Sequence, residues 1–196
     1  MPDIKHFDPD ATLEAVVGLF WERGVAATGI QDVVDRTGVS RSSLYATFGG
    51  KQDLYLAALR RYVEQWSRPA FARLADDPRG LPAVTGFFAE LIRLRCRGTY
   101  ARWGCFVANA HTGPSSAEPG VRELLEEHHQ LLCAALRAAL GTAAARGQLA
   151  PGTDPDAAAE MLALLAYGVN LRSRTGADPD ALEATVQAAL APYAKR

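Results

Sequence analysis

Residues 40–48, with the sequence SRSSLYATF, place short polar side chains and one arginine on a single short candidate helix. Leu44 and Phe48 lie four residues apart and can pack inward. This spacing leaves the following side chains more exposed: Arg41, Ser42, Ser43, Tyr45 and Thr47. An arginine can donate to guanine edges or phosphates, and short hydroxyl side chains make polar contacts without obstructing close docking. The pattern therefore favours contact with the major groove of DNA.

Thr28 and Lys51 flank this segment and are candidates for contacts to phosphates. Helices that begin after Thr28 and Ser40 would also present backbone N–H groups, whose partial positive charge attracts phosphate. Net charge gives no such signal: the chain carries −1, and residues 1–53 contain five basic and eight acidic residues. A DNA-binding function therefore depends on where the polar groups lie and not on overall charge.

Three short helices are expected to position these side chains. The first has Asp8 as its N-cap and ends near Gly24. The second starts after Thr28, whose hydroxyl can cap it, and stops at Gly38, which permits a sharp turn. The third has Ser40 as its N-cap. A short helix, a tight turn and a second helix whose first residues reach the groove constitute a helix-turn-helix.

The rest of the chain shows apolar residues at spacings of three and four, which predicts an all-α fold of nine helices. A long fourth helix should run from Lys51 to about Leu74 and join two domains, over residues 1–54 and 55–196. The remaining helices are expected at 80–97, 102–112, 119–146, 155–174 and 178–191.

Signals for an enzyme or a metal site are weak. His111 lies six residues after Cys105, and no acidic orienter follows at a characteristic spacing. The run Glu126, Glu127, His128, His129 offers metal-ligand types, but adjacent side chains on a helix point about 100° apart, so a solvated face is expected. No glycine-rich phosphate loop follows a strand. We expect no enzymatic activity, no metal and no cofactor.

Neither a signal peptide nor a membrane span is apparent, so the expected location is the cytoplasm, without a membrane partner. Cys96, Cys105 and Cys133 are an odd number without C-x-x-C spacing. We therefore expect free thiols in a reducing compartment.

The stretch TGIQDVVDRTGVSRSSLYATFGGKQDLYLAAL resembles the signature of the TetR family of repressors. The positions that carry the resemblance are Thr28, Val33, Gly38, Val39, Ser40, Leu44, Tyr45, Phe48, Lys51 and Leu54. The sequence departs from the family at Ser42, where glycine is frequent, at Thr47, where histidine or tyrosine is frequent, and at Gln52, where glutamate is usual. These departures put the operator sequence in doubt.

The resemblance implies a homodimer that binds a palindromic operator and is released when a small molecule enters the C-terminal domain. It implies that Tyr45 and Lys51 contact phosphate, that Arg41, Ser42 and Ser43 face the groove, and that the last two helices form the dimer interface. Independently, residues 155–173 are apolar on nearly every face, which suits a helix buried against both its own domain and a partner. The alternative is that Met161, Leu165 and Tyr167 are monomer core.

Candidate ligand contacts come from the helices between residues 60 and 170: Trp66, Phe88, Trp103, Cys105, Phe106 and Tyr167. Aromatic residues at helical spacing more often fill a core. Cys105 lies near a predicted helix start, where the dipole and Arg102 could lower its pKa, and Gly104–Cys105 resembles a motif of a TetR subgroup in which some members sense electrophiles or oxidants. The alternatives are an inert Cys105 and an all-α module that binds a ligand or a protein without DNA.

Overall fold

The computed structural model describes residues 7–195. Its α-helices are α1 (Pro9–Arg23), α2 (Ile30–Thr37), α3 (Arg41–Phe48), α4 (Lys51–Tyr62), α5 (Arg68–Ala75), α6 (Leu81–Cys96), α7 (Phe106–His111), α8 (Pro119–Ala145), α9 (Pro155–Arg174) and α10 (Pro179–Leu190). Within these residues there is no β-strand, and the all-α expectation is confirmed.

The helices α4 and α5 form one continuous rod, because residues 63–67 between them are π-helical and not a break. Pro69, which follows this turn, has no N–H to donate to the carbonyl of Gln65, and such a gap favours a locally widened helix. Counted as one, α4 and α5 correspond to the predicted fourth helix. The described residues therefore hold the nine helices expected from the sequence.

The three N-terminal helices pack as predicted around a small core. Val33 of α2 and Leu44 of α3 are buried, and Val39 of the intervening turn joins them. Gly38 ends α2 in the left-handed conformation, at φ 70° and ψ 4°, which a residue with a Cβ adopts at a cost. This turn directs α3 away from α2 with its N-terminal residues outward.

Two local expectations at helix ends are wrong. The N-cap of α2 is Gly29, not Thr28, and the Thr28 hydroxyl donates instead to the Gly24 carbonyl at 2.8 Å. The predicted helix 102–112 begins only at Phe106, because Arg102 and Gly104 both have positive φ, 66° and 68°. Positive φ at two of three consecutive residues is incompatible with a helical path.

The C-terminal helices bury a second core, centred on Phe88 and Ile92 of α6, Leu136 and Leu140 of α8, and Leu162 of α9. None of the helices in residues 7–195 is long and apolar enough to cross a membrane. Leu165 and Tyr167 are partly buried, whereas Met161 is 59% exposed. Met161 is therefore not monomer core.

Candidate DNA-binding surface and ligand cavity

The first turns of α3 present polar side chains to solvent. Arg41, Ser42 and Thr47 are exposed, Tyr45 is 43% exposed, and Ser43 is half-buried. On the opposite side of α3, Leu44 packs into the core of the N-terminal helices and is 1% exposed. The structure thus brings five of the predicted DNA contacts onto one helix, which is a geometry suited to a groove.

The start of α3 is held by a hydroxyl cap. Ser40 Oγ accepts a hydrogen bond from the Ser43 N–H at 3.2 Å, and it lies 3.0 Å from the Ser42 hydroxyl and 2.9 Å from the Ser43 hydroxyl. Such a cap satisfies an N–H group that would otherwise lack a partner. Ser42 and Ser43 are therefore tied to the cap as well as exposed at the surface.

The two predicted phosphate contacts outside α3 differ in accessibility. Lys51 is half-buried at the first position of α4. Thr28 is fully buried, and its hydroxyl is occupied by the Gly24 carbonyl. The Thr28 side chain is therefore not available to a phosphate in this conformation.

Four acidic residues of the N-terminal region have structural partners. The carboxylate of Asp32 accepts from the Gly29 N–H at 2.6 Å, and Asp53 accepts from the Gly50 N–H at 2.7 Å. Arg61 pairs with Asp10 at 2.7 Å and with Glu14 at 3.0 Å. Asp32 and Asp53 thus compensate the positive ends of two helices, and Asp10 and Glu14 compensate an arginine. These four acids have structural roles, so their presence near α3 is compatible with a DNA-binding surface.

A cavity of about 530 Å³ lies among α4, α5, α6, α8 and α9. Of the predicted ligand contacts, Trp66, Cys105 and Tyr167 line it. Phe88, Trp103 and Phe106 do not: Phe88 and Phe106 are core residues, and Trp103 packs in an aromatic cluster around Trp21. The spacing of aromatic residues does not distinguish those that line a cavity from those in the core, because both kinds lie on the apolar side of a helix.

The polar end of the cavity is built around Arg95, which the sequence analysis did not single out. Its side chain is 9% exposed. Nε donates to Asn170 Oδ1 at 2.9 Å, Nη2 donates to the Tyr62 hydroxyl at 2.9 Å, and the guanidinium carbon lies 5.6 Å from the centre of the Trp21 ring. An arginine near the end of an amphipathic helix is ordinarily exposed, and here side chains from α1, α4 and α9 together bury it.

Cys105 is also buried at this end of the cavity. The Tyr62 hydroxyl donates to its sulfur at 3.6 Å, and the same hydroxyl accepts from Arg95. The arginine connected to the thiol is therefore Arg95 and not the predicted Arg102, which is exposed. Burial raises the pKa of Tyr62 far above its usual range, so its hydroxyl remains protonated and keeps its donor role.

His128 and Tyr167 add two buried polar groups to the cavity wall. His128 Nε2 lies 3.2 Å from Ser67 Oγ, whereas His128 Nδ1 and the Tyr167 hydroxyl have no hydrogen-bond partner among the described residues. Burial lowers the pKa of His128 to about 3, so the ring is neutral at neutral pH. The predicted solvated face is therefore correct for Glu126 and Glu127 and wrong for His128.

The two adjacent histidines point to different neighbours, His128 to Ser67 and His129 to Glu160, with His129 Nε2 3.1 Å from the carboxylate. Cys133 Sγ lies 3.5 Å from the same His129 nitrogen. His129, Cys133 and Glu160 each offer one atom of a metal-ligand type, and these three atoms lie within 4.8 Å of one another. The sequence shows that His129 and Cys133 share a face of α8, since they lie four residues apart. It does not show that Glu160 of α9 lies beside them. His111, the weak candidate for a base, contacts the Tyr167 ring instead of Cys105.

A strip of apolar side chains on α9 faces solvent. Met161 is 59% exposed, Leu164 60% and Leu171 40%. Gly168 lies on the same face, and the adjoining helix α10 exposes Ala181, Ala184 and Ala188. Large exposed apolar residues grouped on one face are typical of a surface that associates with another protein.

Comparison with known proteins agrees with this architecture. The chain matches the family model for bacterial regulatory proteins of the tetR family over residues 13–58, and the tetracyclin repressor-like C-terminal domain model over residues 80–189. It is 32% identical over 180 residues to the HTH-type transcriptional repressor ComR of Escherichia coli strain K12, which covers 91% of this chain and 85% of ComR.

Similarity extends over nearly the full length of two further proteins. The chain is 27% identical over 187 residues to the uncharacterized HTH-type transcriptional regulator YezE of Bacillus subtilis strain 168, covering 95% of this chain and 96% of YezE. A cysteine mutant of the TetR family regulator CifR, solved with a 26-base-pair operator DNA, has a TM-score of 0.83 at 26% identity and covers 97% of this chain and 99% of its own. The protein belongs to the TetR family of DNA-binding transcriptional regulators.

Proposed function

We propose that this protein is a homodimeric repressor that binds a palindromic operator and leaves it when a small molecule enters the cavity. The observation that carries the proposal is the exposure of Arg41, Ser42 and Tyr45 on α3 above a buried Leu44. In this arrangement a guanidinium and short hydroxyls meet base edges and phosphates while the helix backbone is held rigidly by the core. Lys51 adds a phosphate contact from the start of α4, and Thr47 extends the polar face of α3.

Two such helices are needed for a palindromic site, and the apolar strip on α9 supplies the means of pairing them. Met161, Leu164 and Leu171 would be buried against the same residues of a second copy, as a two-fold interface requires. The small residues of α10 permit close approach beside them. A dimer of this kind places its recognition helices about one helical turn of DNA apart, roughly 34 Å.

The cavity supports regulation by a ligand. Its volume of about 530 Å³ lies within the range of small-molecule sites, and its walls combine apolar side chains with a few buried polar groups. The rod formed by α4 and α5 begins at Lys51 beside the DNA surface and contributes Tyr62, Trp66 and Phe71 to the cavity. A ligand that displaces this rod would therefore change the spacing of the two recognition helices. This movement alone would release the protein from the operator.

The test is a binding titration with the intergenic DNA upstream of the gene, a scrambled control and a random DNA library, each at several salt concentrations. We expect sequence-selective binding by a dimer that weakens steeply with salt. Arg41→Ala should weaken it, whereas Arg146→Ala, at the exposed far end of α8, should not. No selectivity toward any sequence in the library would contradict the proposal and favour an all-α module that does not bind DNA.

The sign of regulation needs a second measurement. Transcription from the selected operator in a purified system should fall when the protein is added, and an increase would identify an activator. This separates repression from DNA binding alone.

A further inference from the structure

Arg95 is a buried cation without a buried anion beside it. Within residues 7–195 it makes no ion pair, and both of its hydrogen-bond acceptors, Asn170 Oδ1 and the Tyr62 hydroxyl, are neutral. The side chain lines the cavity, and Nη1 makes no hydrogen bond within these residues. The position near the C-terminal end of α6 provides partial negative charge, which is less than one unit.

A charge in this position is costly unless something compensates it. Removing an ion from water costs several kcal/mol even after the protein relaxes, and two neutral hydrogen bonds with a cation–π contact to Trp21 recover only part of that. An anion within the cavity would recover the rest, because the attraction is strong where water is excluded. A carboxylate is well suited, since a planar guanidinium matches its geometry.

The other end of the cavity is lined by aromatic and aliphatic side chains, and the charged groups Arg79 and Glu90 in its wall are paired with Asp77 and Arg93. Phe87, Leu91 and Arg95 follow one another at intervals of four residues along α6, so the backbone positions of Phe87 and Arg95 lie about 12 Å apart along the helix axis. On the facing rod, Phe71 lies opposite Phe87, with ring centres 6.4 Å apart, and Tyr62 lies opposite Arg95. The cavity thus has at one end a buried guanidinium that is unpaired within residues 7–195, and at the other apolar side chains beside surface ion pairs.

We propose that the cavity binds an organic carboxylate with an apolar aromatic or aliphatic body, its carboxylate on Arg95 and its body along Phe87, Leu91 and Phe71. The unpartnered His128 Nδ1 and Tyr167 hydroxyl offer additional hydrogen bonds from the wall. This assignment rests on the proposed function, in that it names the chemical class of the molecule that enters the cavity.

One competitor for Arg95 lies inside the protein. The sulfur of Cys105 is joined to the guanidinium through the Tyr62 hydroxyl, and a thiolate there would itself supply the negative charge. The two arrangements predict different ligands, because a guanidinium already neutralised by a thiolate gains little from a carboxylate.

The test is calorimetric titration of the DNA-free, full-length protein with three matched pairs: octanoate, 4-phenylbutanoate and 6-phenylhexanoate, each against its neutral amide. We expect at least one acid to bind ten times or more tighter than its amide. If no acid is preferred, the proposal is wrong. If no acid is preferred by the wild type but one is preferred by Cys105→Ser, the thiolate is the native counter-ion and the proposal is again overturned.

Variants locate the site. Arg95→Met should remove the preference for the acid, whereas Arg97→Met, two residues further on and exposed, should retain it. Leu91→Trp, which fills the apolar part, should weaken acid and amide together. Retention of the preference in Arg95→Met would contradict the assignment. If that variant does not fold, the acid and amide comparison on the wild type still tests whether the cavity prefers a carboxylate.

A DNA-release assay with the same compounds separates this inference from the proposed function. An acid that binds tightly yet leaves the operator complex intact would contradict release by ligand while supporting the assignment of the cavity. Release by the amides and not by the acids would support release by a ligand and contradict the assignment of the cavity to a carboxylate.

Discussion

The indole N–H of Trp21 donates a hydrogen bond to the carbonyl oxygen of Gly104 at 3.0 Å. Trp21 lies near the end of α1, in the DNA-binding half, and Gly104 precedes the buried Cys105 at the polar end of the cavity. The Trp21 ring also packs edge-on against Tyr62, with centres 4.9 Å apart. A single side chain thus connects the first helix with two elements of the cavity wall.

Replacing Trp21 by phenylalanine keeps an aromatic ring but leaves the buried Gly104 carbonyl without its donor. We expect a loss of about 1–3 kcal/mol in the free energy of unfolding, measured by urea denaturation. Trp66→Phe is the control, because Trp66 is 36% exposed and makes no hydrogen bond through its indole within residues 7–195. Equal losses in the two variants would show that ring size and not the hydrogen bond is responsible.

Leu44 and Tyr45 are adjacent on α3 and should separate stability from DNA binding. Leu44→Ala removes a side chain that is 1% exposed and should cost about 2–5 kcal/mol of stability. Tyr45→Ala changes an exposed side chain, so its stability should stay within about 0.5 kcal/mol of the wild type.

The effect of Tyr45→Ala on operator affinity should be larger. A hydrogen bond to a charged phosphate contributes about 1.5 kcal/mol or more, so affinity should fall roughly tenfold. Fluorescence anisotropy at fixed salt measures this. Unchanged affinity in a folded Tyr45→Ala protein would remove Tyr45 from the DNA surface.

Local signals predicted most of the helix boundaries. The caps at Asp8 and Ser40 and the turn at Gly38 depend on neighbours within a few residues, and they lie where the sequence placed them. The start of α7 was misplaced because Arg102 has a positive φ, 66°. An arginine gives no local signal for such a conformation.

The cavity was less predictable than the DNA surface. Trp66, Cys105 and Tyr167 line it, but so do Arg95 and His128, whose burial arises from helices far apart in the chain. Helical periodicity tells which residues share a face and not which helix covers that face. For the same reason, the burial of Thr28 against Gly24 was not apparent beside a segment rich in exposed hydroxyls.

Leu164→Glu should disrupt the proposed dimer. Leu164 is 60% exposed in the single chain, so the change should be tolerated in the monomer, but it would bury an uncompensated charge in an interface on α9. Such a charge costs about 3 kcal/mol or more, which corresponds to a rise above a hundredfold in the dimer dissociation constant.

Sedimentation velocity over a range of concentrations measures this change in association. Ala134→Glu, at an exposed position of α8, introduces the same charge outside the apolar strip and should leave the dimer intact. A dimer that withstands Leu164→Glu would place the interface elsewhere.

His128 should make the fold sensitive to acid. Burial lowers its folded-state pKa to about 3, with further lowering from His111 and His129, whereas an unfolded histidine has a pKa near 6.5. Between these values the unfolded chain binds a proton that the folded protein excludes. The contribution of His128 to stability is therefore complete above about pH 6.5 and is lost as the pH falls toward 3, at up to about 1.4 kcal/mol per pH unit.

His128→Gln tests this linkage, because glutamine does not titrate and can still hydrogen-bond to Ser67. Urea denaturation at several pH values between 8 and 4.5 should show a shallower loss of stability toward acid for the variant than for the wild type, with the two curves running parallel above pH 7. Parallel curves throughout the acid range would mean that the His128 ring is protonated in the folded protein. The walls of the cavity would then carry a second positive charge beside Arg95.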